Sequence, residues 1–206
     1  MMQTNFWLIR HAVVAENERA RLYGVLDVQL CPDSLVAQAP MHQAIAARLP
    51  RPAVWACTPL SRTRRTAETI FGAGYPTQPL LVEPDLIEQH LGGYQGLAHA
   101  ELPPLLTAPA HPFWPLSAEE VPPGGESVAQ MLVRVGAALE RMAQQHAGRD
   151  VVVVSHGGAI RAAVGHAMGA GAGAVLHLSV HNLSLTRLER LPEGWRVVCV
   201  NELPRI

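Results

Sequence analysis

Residues Asn5 to Ala12 read NFWLIRHA, and this stretch decides the fold. Phe6, Trp7, Leu8 and Ile9 make a short apolar run, too short for a surface helix and suited to a buried strand. The run ends abruptly in Arg10 and His11. Ligands of open α/β sheets sit just beyond the carboxyl ends of the strands, so this pair stands where chemistry is usually done. A strand that merely surfaces here, with a solvated arginine and a capping histidine, would give the same two residues.

The pattern recurs along the chain. Ala53 to Cys57 (AVWAC) is a second short buried strand, and it runs into Thr58-Pro59-Leu60-Ser61-Arg62. Thr58 as N-cap and Pro59 as first helical residue predict a helix from Leu60 to about Phe71, with Arg62 in its first turn. Leu80 to Val82 is a third strand, followed by Asp85-Leu86-Ile87-Glu88. Val151 to Val154 is the strongest strand, four valines leading into Ser155-His156-Gly157-Gly158 and a helix over 159–168.

Elsewhere, Ser34 opens a helix over 35–49, and Ser127 caps one reaching about His146 with apolar residues at three-and-four spacing. Residues 13–32 read as a polar loop with a broken helical turn, and 169–174 as a flexible loop. Leu183–Leu188 and Trp195–Val200 read as a closing antiparallel hairpin. A proline-rich stretch at about 97–125 cannot stay regular for long and reads as a lid-like excursion. Together these predict one α/β domain over 1–206. It is a three-layer α/β/α sandwich whose mostly parallel central sheet has an antiparallel C-terminal edge.

Composition narrows the function. Of 206 residues, 49% are hydrophobic, and the net charge of −1 offers no broad basic face for nucleic acid. All 16 basic residues are arginine. Lysine is therefore excluded as nucleophile or Schiff-base former, and any phosphate or carboxylate must be held by guanidinium forks. Cys31, Cys57 and Cys199 are three in number and widely spaced, which argues against a disulfide framework and for buried free thiols. No apolar run is long enough to span a membrane, and no signal peptide is evident, so the expected location is cytoplasmic. No histidine spacing of the HExxH kind occurs, so no metal is assigned.

Three strand ends thus carry Arg10-His11, Arg62 and His156, and Glu88 follows a fourth strand. Two guanidinium forks facing one pocket predict a tetrahedral oxyanion, hence phosphate. One histidine would be the nucleophile, kept neutral by the nearby positive charge. The other would donate a hydrogen bond to the phosphoryl oxygens, and the acid would protonate the leaving oxygen.

On these residues the chain resembles the histidine phosphatase superfamily, also called phosphoglycerate mutase-like. The family's Arg-His-Gly stands here as Arg10-His11-Ala12, and Asn17 matches its phosphate-pocket asparagine. Residues 58–67 (TPLSRTRRTA) match the second arginine motif, and 86–96 (LIEQHLGGYQG) the proton-donor segment. Residues 123–127 (PGGES) match the start of the long helix, and 154–158 (VSHGG) the second histidine motif. The resemblance spans 5–200 in order. It implies that His11 attacks phosphorus, that Arg10, Arg62 and His156 hold the phosphoryl oxygens, and that Glu88 protonates the leaving group, with Glu83, Asp85 and Glu101 as rivals for that last role. Asn17 then serves as a phosphate donor, and Gly157 allows close ligand approach at a helix N-terminus.

Ala12 replaces the family glycine, which implies a small cost. Where the mutase branch has Glu-Arg-His-Tyr-Gly, this chain has Glu88-Gln89-His90-Leu91-Gly92, and it has no lysine, so the phosphatase branch fits better. Residues 21–28 (RLYGVLDV) look similar to members related to α-ribazole phosphatase. The implied function is a metal-independent phosphomonoesterase that needs no cofactor. Its partner would be a small-molecule phosphate ester, not nucleic acid or membrane, with a homodimer left open. The competing readings are a phosphoglycerate-type mutase, a protein-phosphohistidine phosphatase, and a phosphate-binding or regulatory protein without turnover. Arg19 and Arg21 are either contacts to a second anionic group or solvated loop charges. Phe113 and Trp114 are either a wall of the substrate site or a loop anchor.

Overall fold

The four valines at 151–154 divide between the two faces of a central sheet. The computed structural model describes residues 2–205. In chain order the elements begin with β1 (Thr4–Arg10), α1 (Glu16–Arg19), α2 (Pro32–Ala37), α3 (Ala39–Arg48), β2 (Val54–Cys57), α4 (Ser61–Gly72) and β3 (Leu80–Val82). They continue with α5 (Val128–Gln145), β4 (Asp150–Ser155), α6 (Gly157–Met168), α7 (Ala172–Val175), β5 (Leu185–Leu191) and β6 (Gly194–Glu202). The sheet order is β3-β2-β4-β1-β5-β6. β1, β4, β2 and β3 run parallel, while β5 is antiparallel to β1 and β6 to β5. The expected mostly parallel sheet with an antiparallel C-terminal edge is what forms.

Period-two alternation sets the layers. Val151 and Val153 pack with Phe6 and Leu8 against apolar residues of α5 and α6. Val152 and Val154 pack with Ile9 and Trp55 against Ile45 of α3 and Ala67 and Ile70 of α4. A strand buried on both faces must be apolar throughout, which is why four consecutive valines signal the centre of the sheet. Ser127 starts α5 as expected. Its hydroxyl accepts from Gln130 N–H at 3.1 Å, and Gln130 Oε1 accepts from Ser127 N–H at 2.8 Å.

Several expectations need correction. The single helix over 35–49 is two helices, α2 and α3, broken at Gln38. Pro40 lacks an N–H and is tolerated only in a first turn, so a new helix must begin there. The loop at 169–174 ends in the short helix α7, because Val175 and Leu176 are buried against the core and anchor it. Helix α4 begins at Ser61 with Leu60, not Thr58, as its N-cap. The first hairpin strand runs later than read, at Leu185–Leu191, since Leu183 adopts a positive φ of 61° and cannot continue a strand, and the second extends past the reading at both ends, over Gly194–Glu202. Of the three free cysteines only Cys57 is fully buried.

The proline-rich excursion has a small core of its own. Leu102 and Leu116 pack with Leu22, Leu91 and Tyr94. Buried Glu120 ties it together, accepting from Thr107 N–H at 3.2 Å and from the Tyr94 hydroxyl at 3.4 Å. No helix among the described residues is long and apolar enough to cross a membrane.

Candidate active site

The carboxyl ends of β1 and β4 lie side by side, Arg10 opposite Ser155. The backbone that leaves β1 is pinned at each residue. His11 N–H donates to Ser155 O at 3.0 Å, Leu183 N–H to Arg10 O at 2.9 Å, and Ala12 N–H to Thr66 Oγ1 at 3.0 Å. Asn182 Nδ2 donates to His11 O at 2.7 Å. Ala12 is buried in the apolar cluster between sheet and α4 and is not among the positive-φ residues, so its methyl meets no backbone strain there.

His11 and His156 stand edge to face with ring centres 5.3 Å apart. Both are buried, at 1% and 0% exposure. His11 Nδ1–H donates to its neighbour's carbonyl, Ala12 O, at 2.7 Å. Burial, followed by the charges of Arg62 and Arg10, holds the His11 pKa well below 6.5, against the opposing pull of that carbonyl. Burial also dominates the lowered pKa of His156, reinforced by Arg62, His11 and Arg10.

Arg62 is wholly buried beside them. Its Nε–H donates to His156 Nδ1 at 3.3 Å, Nη1 to Leu26 O and Nη2 to Gly24 O, both at 2.7 Å. Arg10 Nη1 donates to Val180 O at 2.5 Å, while its buried Nε has no partner. Glu88 lies at the start of α6. Its Oε2 accepts from Gly158 N–H at 3.1 Å and its Oε1 from Gln89 N–H at 3.0 Å. The loop that carries it is held by Ser155 Oγ, which donates to Leu86 O at 2.7 Å. Arg134 also holds it, donating to Asp85 O at 2.8 Å and Ile87 O at 3.2 Å.

A cavity of about 310 Å³ opens over this group, and Arg10, Glu88 and Gly157 form part of its wall. His11, His156 and Arg62 lie behind that wall and are not in the lining. Arg10, His11, Arg62, Glu88, His156 and Gly157 are thus brought together. Asn17 is not: it sits exposed on α1, outside the lining. Two buried histidines, two guanidinium groups and a carboxylate around one cavity form an arrangement suited to phosphoryl chemistry.

The profile of the histidine phosphatase superfamily (branch 1) matches residues 6–203. This chain belongs to that superfamily. It is 32% identical over 197 residues to a metal-independent phosphoserine phosphatase of Arabidopsis thaliana, covering 93% of this chain and 81% of the relative. It is 33% identical over 157 residues to phosphoglycerate mutase-like protein 4 of the same plant, covering 75% of this chain and 66% of the relative. The solved α-ribazole phosphatase of Shigella flexneri shares the fold with a TM-score of 0.77 at 20% identity, covering 96% of both chains.

Within this histidine phosphatase domain the paired glycines after His156 do separate jobs. A Cβ on Gly158 would stand 2.2 Å from Glu88 Oε1, so its absence makes room for the acid. Gly157 faces the cavity. Trp114 also lines the cavity, whereas Phe113 is 65% exposed and packs against His111 and His177 instead. Arg19 and Arg21 both line the cavity.

Three features escaped the sequence reading. Thr58, read as a helix cap, instead places its hydroxyl 2.9 Å from His156 Nε2. Arg161 lines the cavity from α6. Its spacing, four residues after Gly157, is a signal that could have found it, since i and i+4 share a helix face. The segment 178–182 fixes three site groups through Leu178 O, Val180 O and Asn182, and nothing local in the sequence marks it.

Proposed function

We propose that this chain is a single-domain phosphomonoesterase that hydrolyses a small phosphate ester through a phosphohistidine on His11, without a metal ion. The observation that carries the reading is the 2.7 Å hydrogen bond from His11 Nδ1–H to Ala12 O. A carbonyl only accepts, so Nδ1 carries the proton, and Nε2 of the neutral ring keeps its lone pair. Burial and the flanking guanidinium groups keep the ring neutral. The nucleophile is therefore ready without a separate base.

In the first step the Nε2 lone pair forms a bond to phosphorus as the bond to the ester oxygen breaks. Glu88, in its acid form, gives its proton to the departing oxygen. In the second step water attacks phosphorus, the N–P bond breaks, and Glu88 takes the proton of the water as inorganic phosphate leaves. Arg10, Arg62 and the Gly157 N–H at the start of α6 stabilise charge on the equatorial oxygens. Donation by His156 would require its Nε2–H to exchange Thr58 for a phosphoryl oxygen. Asn17, exposed and outside the lining, is given no role in this shell. The three free cysteines suit a reducing, cytoplasmic setting.

The test is phosphate release from an aryl phosphate in excess chelator, comparing wild type with His11→Ala, together with mass spectrometry, after an alkaline quench that preserves the N–P bond, of the peptide that carries residue 11. Release by wild type alone, with a phosphorylated peptide, is expected. Equal release by both, or activity abolished by chelator and restored by a divalent ion, overturns the reading. A phosphoglycerate-type mutase is the second reading, favoured by the relative named mutase-like. Phosphate moved within the substrate, and not released to water, would select it.

A further inference from the structure

Four arginines, Arg10, Arg19, Arg21 and Arg161, line the cavity against one carboxylate, Glu88. A phosphate held as proposed above uses Arg10 together with the buried Arg62. Arg161 is then left over, and it is not an ordinary surface cation. It is half-buried, its Nε–H donates to Leu178 O at 2.7 Å, and its guanidinium lies 4.9 Å from the ring centre of Trp114. Trp114 is itself fixed, its Nε1–H donating to Gln89 Oε1 at 3.1 Å.

Among the described residues Arg161 forms no ion pair, and its Nη groups bond to no protein acceptor. Glu88 across the cavity acts on it only through space, and a cation taken partly out of water with no carboxylate bonded to it is costly. Held at Nε by a carbonyl and on one face by an indole, it presents its Nη edge as a fixed fork. A fork of parallel N–H groups matches a planar carboxylate. A Cβ placed on Gly157 would stand 3.1 Å from Arg161 Nη1 and 3.4 Å from Arg10 Nε, so the two guanidinium groups flank one point of the cavity wall. A volume of about 310 Å³ holds only a small molecule.

We infer that Arg161 is a specificity-determining residue that binds a carboxylate carried by the substrate in addition to its phosphate. The inference rests on the phosphatase reading above. Arg10 takes the phosphoryl end and Arg161 the acid end, with Trp114 stiffening the fork so that little side-chain freedom is lost on binding.

Matched esters test it: phosphooxyacetate against ethyl phosphate, and 3-phosphooxypropanoate against propyl phosphate. Wild type should favour the carboxylated member of at least one pair by roughly 10- to 100-fold in kcat/KM, the range of a charge-assisted contact. Arg161→Gln should erase most of that ratio, chiefly through KM, and Arg161→Lys should restore part of it. Equal turnover of both members by wild type, or an equal fall on both in a folded Arg161→Gln, overturns the inference while leaving hydrolysis intact. If Arg161→Gln fails to fold, the wild-type ratio and its reduction in Arg161→Lys decide the matter. No phosphate release from any of the four esters by an enzyme that hydrolyses the aryl phosphate overturns this inference alone, and no release from the aryl phosphate either would bring down the phosphatase reading with it.

Discussion

Thr58 Oγ1 lies 2.9 Å from His156 Nε2, while Arg62 Nε faces the other ring nitrogen at 3.3 Å. Arginine only donates, so His156 Nδ1 is the acceptor and Nε2 carries the proton that Thr58 receives. The Thr58 hydroxyl lies 3.1 Å from Thr63 Oγ1, whose own proton goes to Leu60 O at 2.8 Å. Two threonines and an arginine therefore fix one tautomer of a buried imidazole.

Removing that acceptor should matter more than its size suggests. Thr58→Val leaves the Nε2–H of His156 buried and unpaired, a cost of about 1–3 kcal/mol. Turnover should fall about tenfold or more, and Thr58→Ser, which keeps the hydroxyl, should restore it. Phosphate-release kinetics and thermal melts of both variants check this. Unchanged turnover in Thr58→Val would show that the hydroxyl is not what counts.

Stability should decline on the acid side of neutrality. His11 and His156 both have folded pKa values well below 6.5, so below that pH the unfolded chain binds protons that the folded chain does not. Their contribution is fully present above 6.5 and is lost progressively as the pH drops toward the depressed folded values. Melting temperatures of wild type and His156→Asn across pH 7.5 to 5 measure it: the wild type should lose more.

Gly158→Ala should separate activity from stability. Gly158 lies in a regular helix, so alanine brings no backbone strain. Its Cβ, however, would fall 2.2 Å from Glu88 Oε1, the movable end of a side chain. The acid swings away, and turnover should drop by roughly 100- to 10,000-fold, the scale of a lost general acid, while the melting temperature shifts little. Unchanged turnover would mean that Glu88 reaches the substrate from elsewhere.

Arg62→Ala should lower turnover about a hundredfold or more, as loss of a preorganised oxyanion donor does. It should also loosen the segment that carries Gly24 and Leu26, whose carbonyls Arg62 holds at 2.7 Å. Hydrogen exchange over residues 22–28 reads the second effect independently of activity. Retained turnover would remove Arg62 from the chemistry even if the exchange rises.

What the sequence determined by itself was the scaffold and the chemical parts. Strands flanked by helices leave few arrangements, and apolar runs ending in Arg10-His11 and Ser155-His156 place those groups at the carboxyl edge of one sheet. Local signals fixed the start of α5 at Ser127 and the position of Arg62 in the first turn of α4. Tertiary structure decided the wiring. Whether Thr58 caps a helix or orients His156, whether Arg161 faces solvent or a cavity, and whether Asn17 approaches the phosphate site depend on packing between distant segments. Residues 178–182 gather Arg161, Arg10 and His11 through contacts spanning 17, 170 and 171 positions. A hydrogen bond to a carbonyl carries no side-chain signature, so no reading of residue types along the chain could have found it.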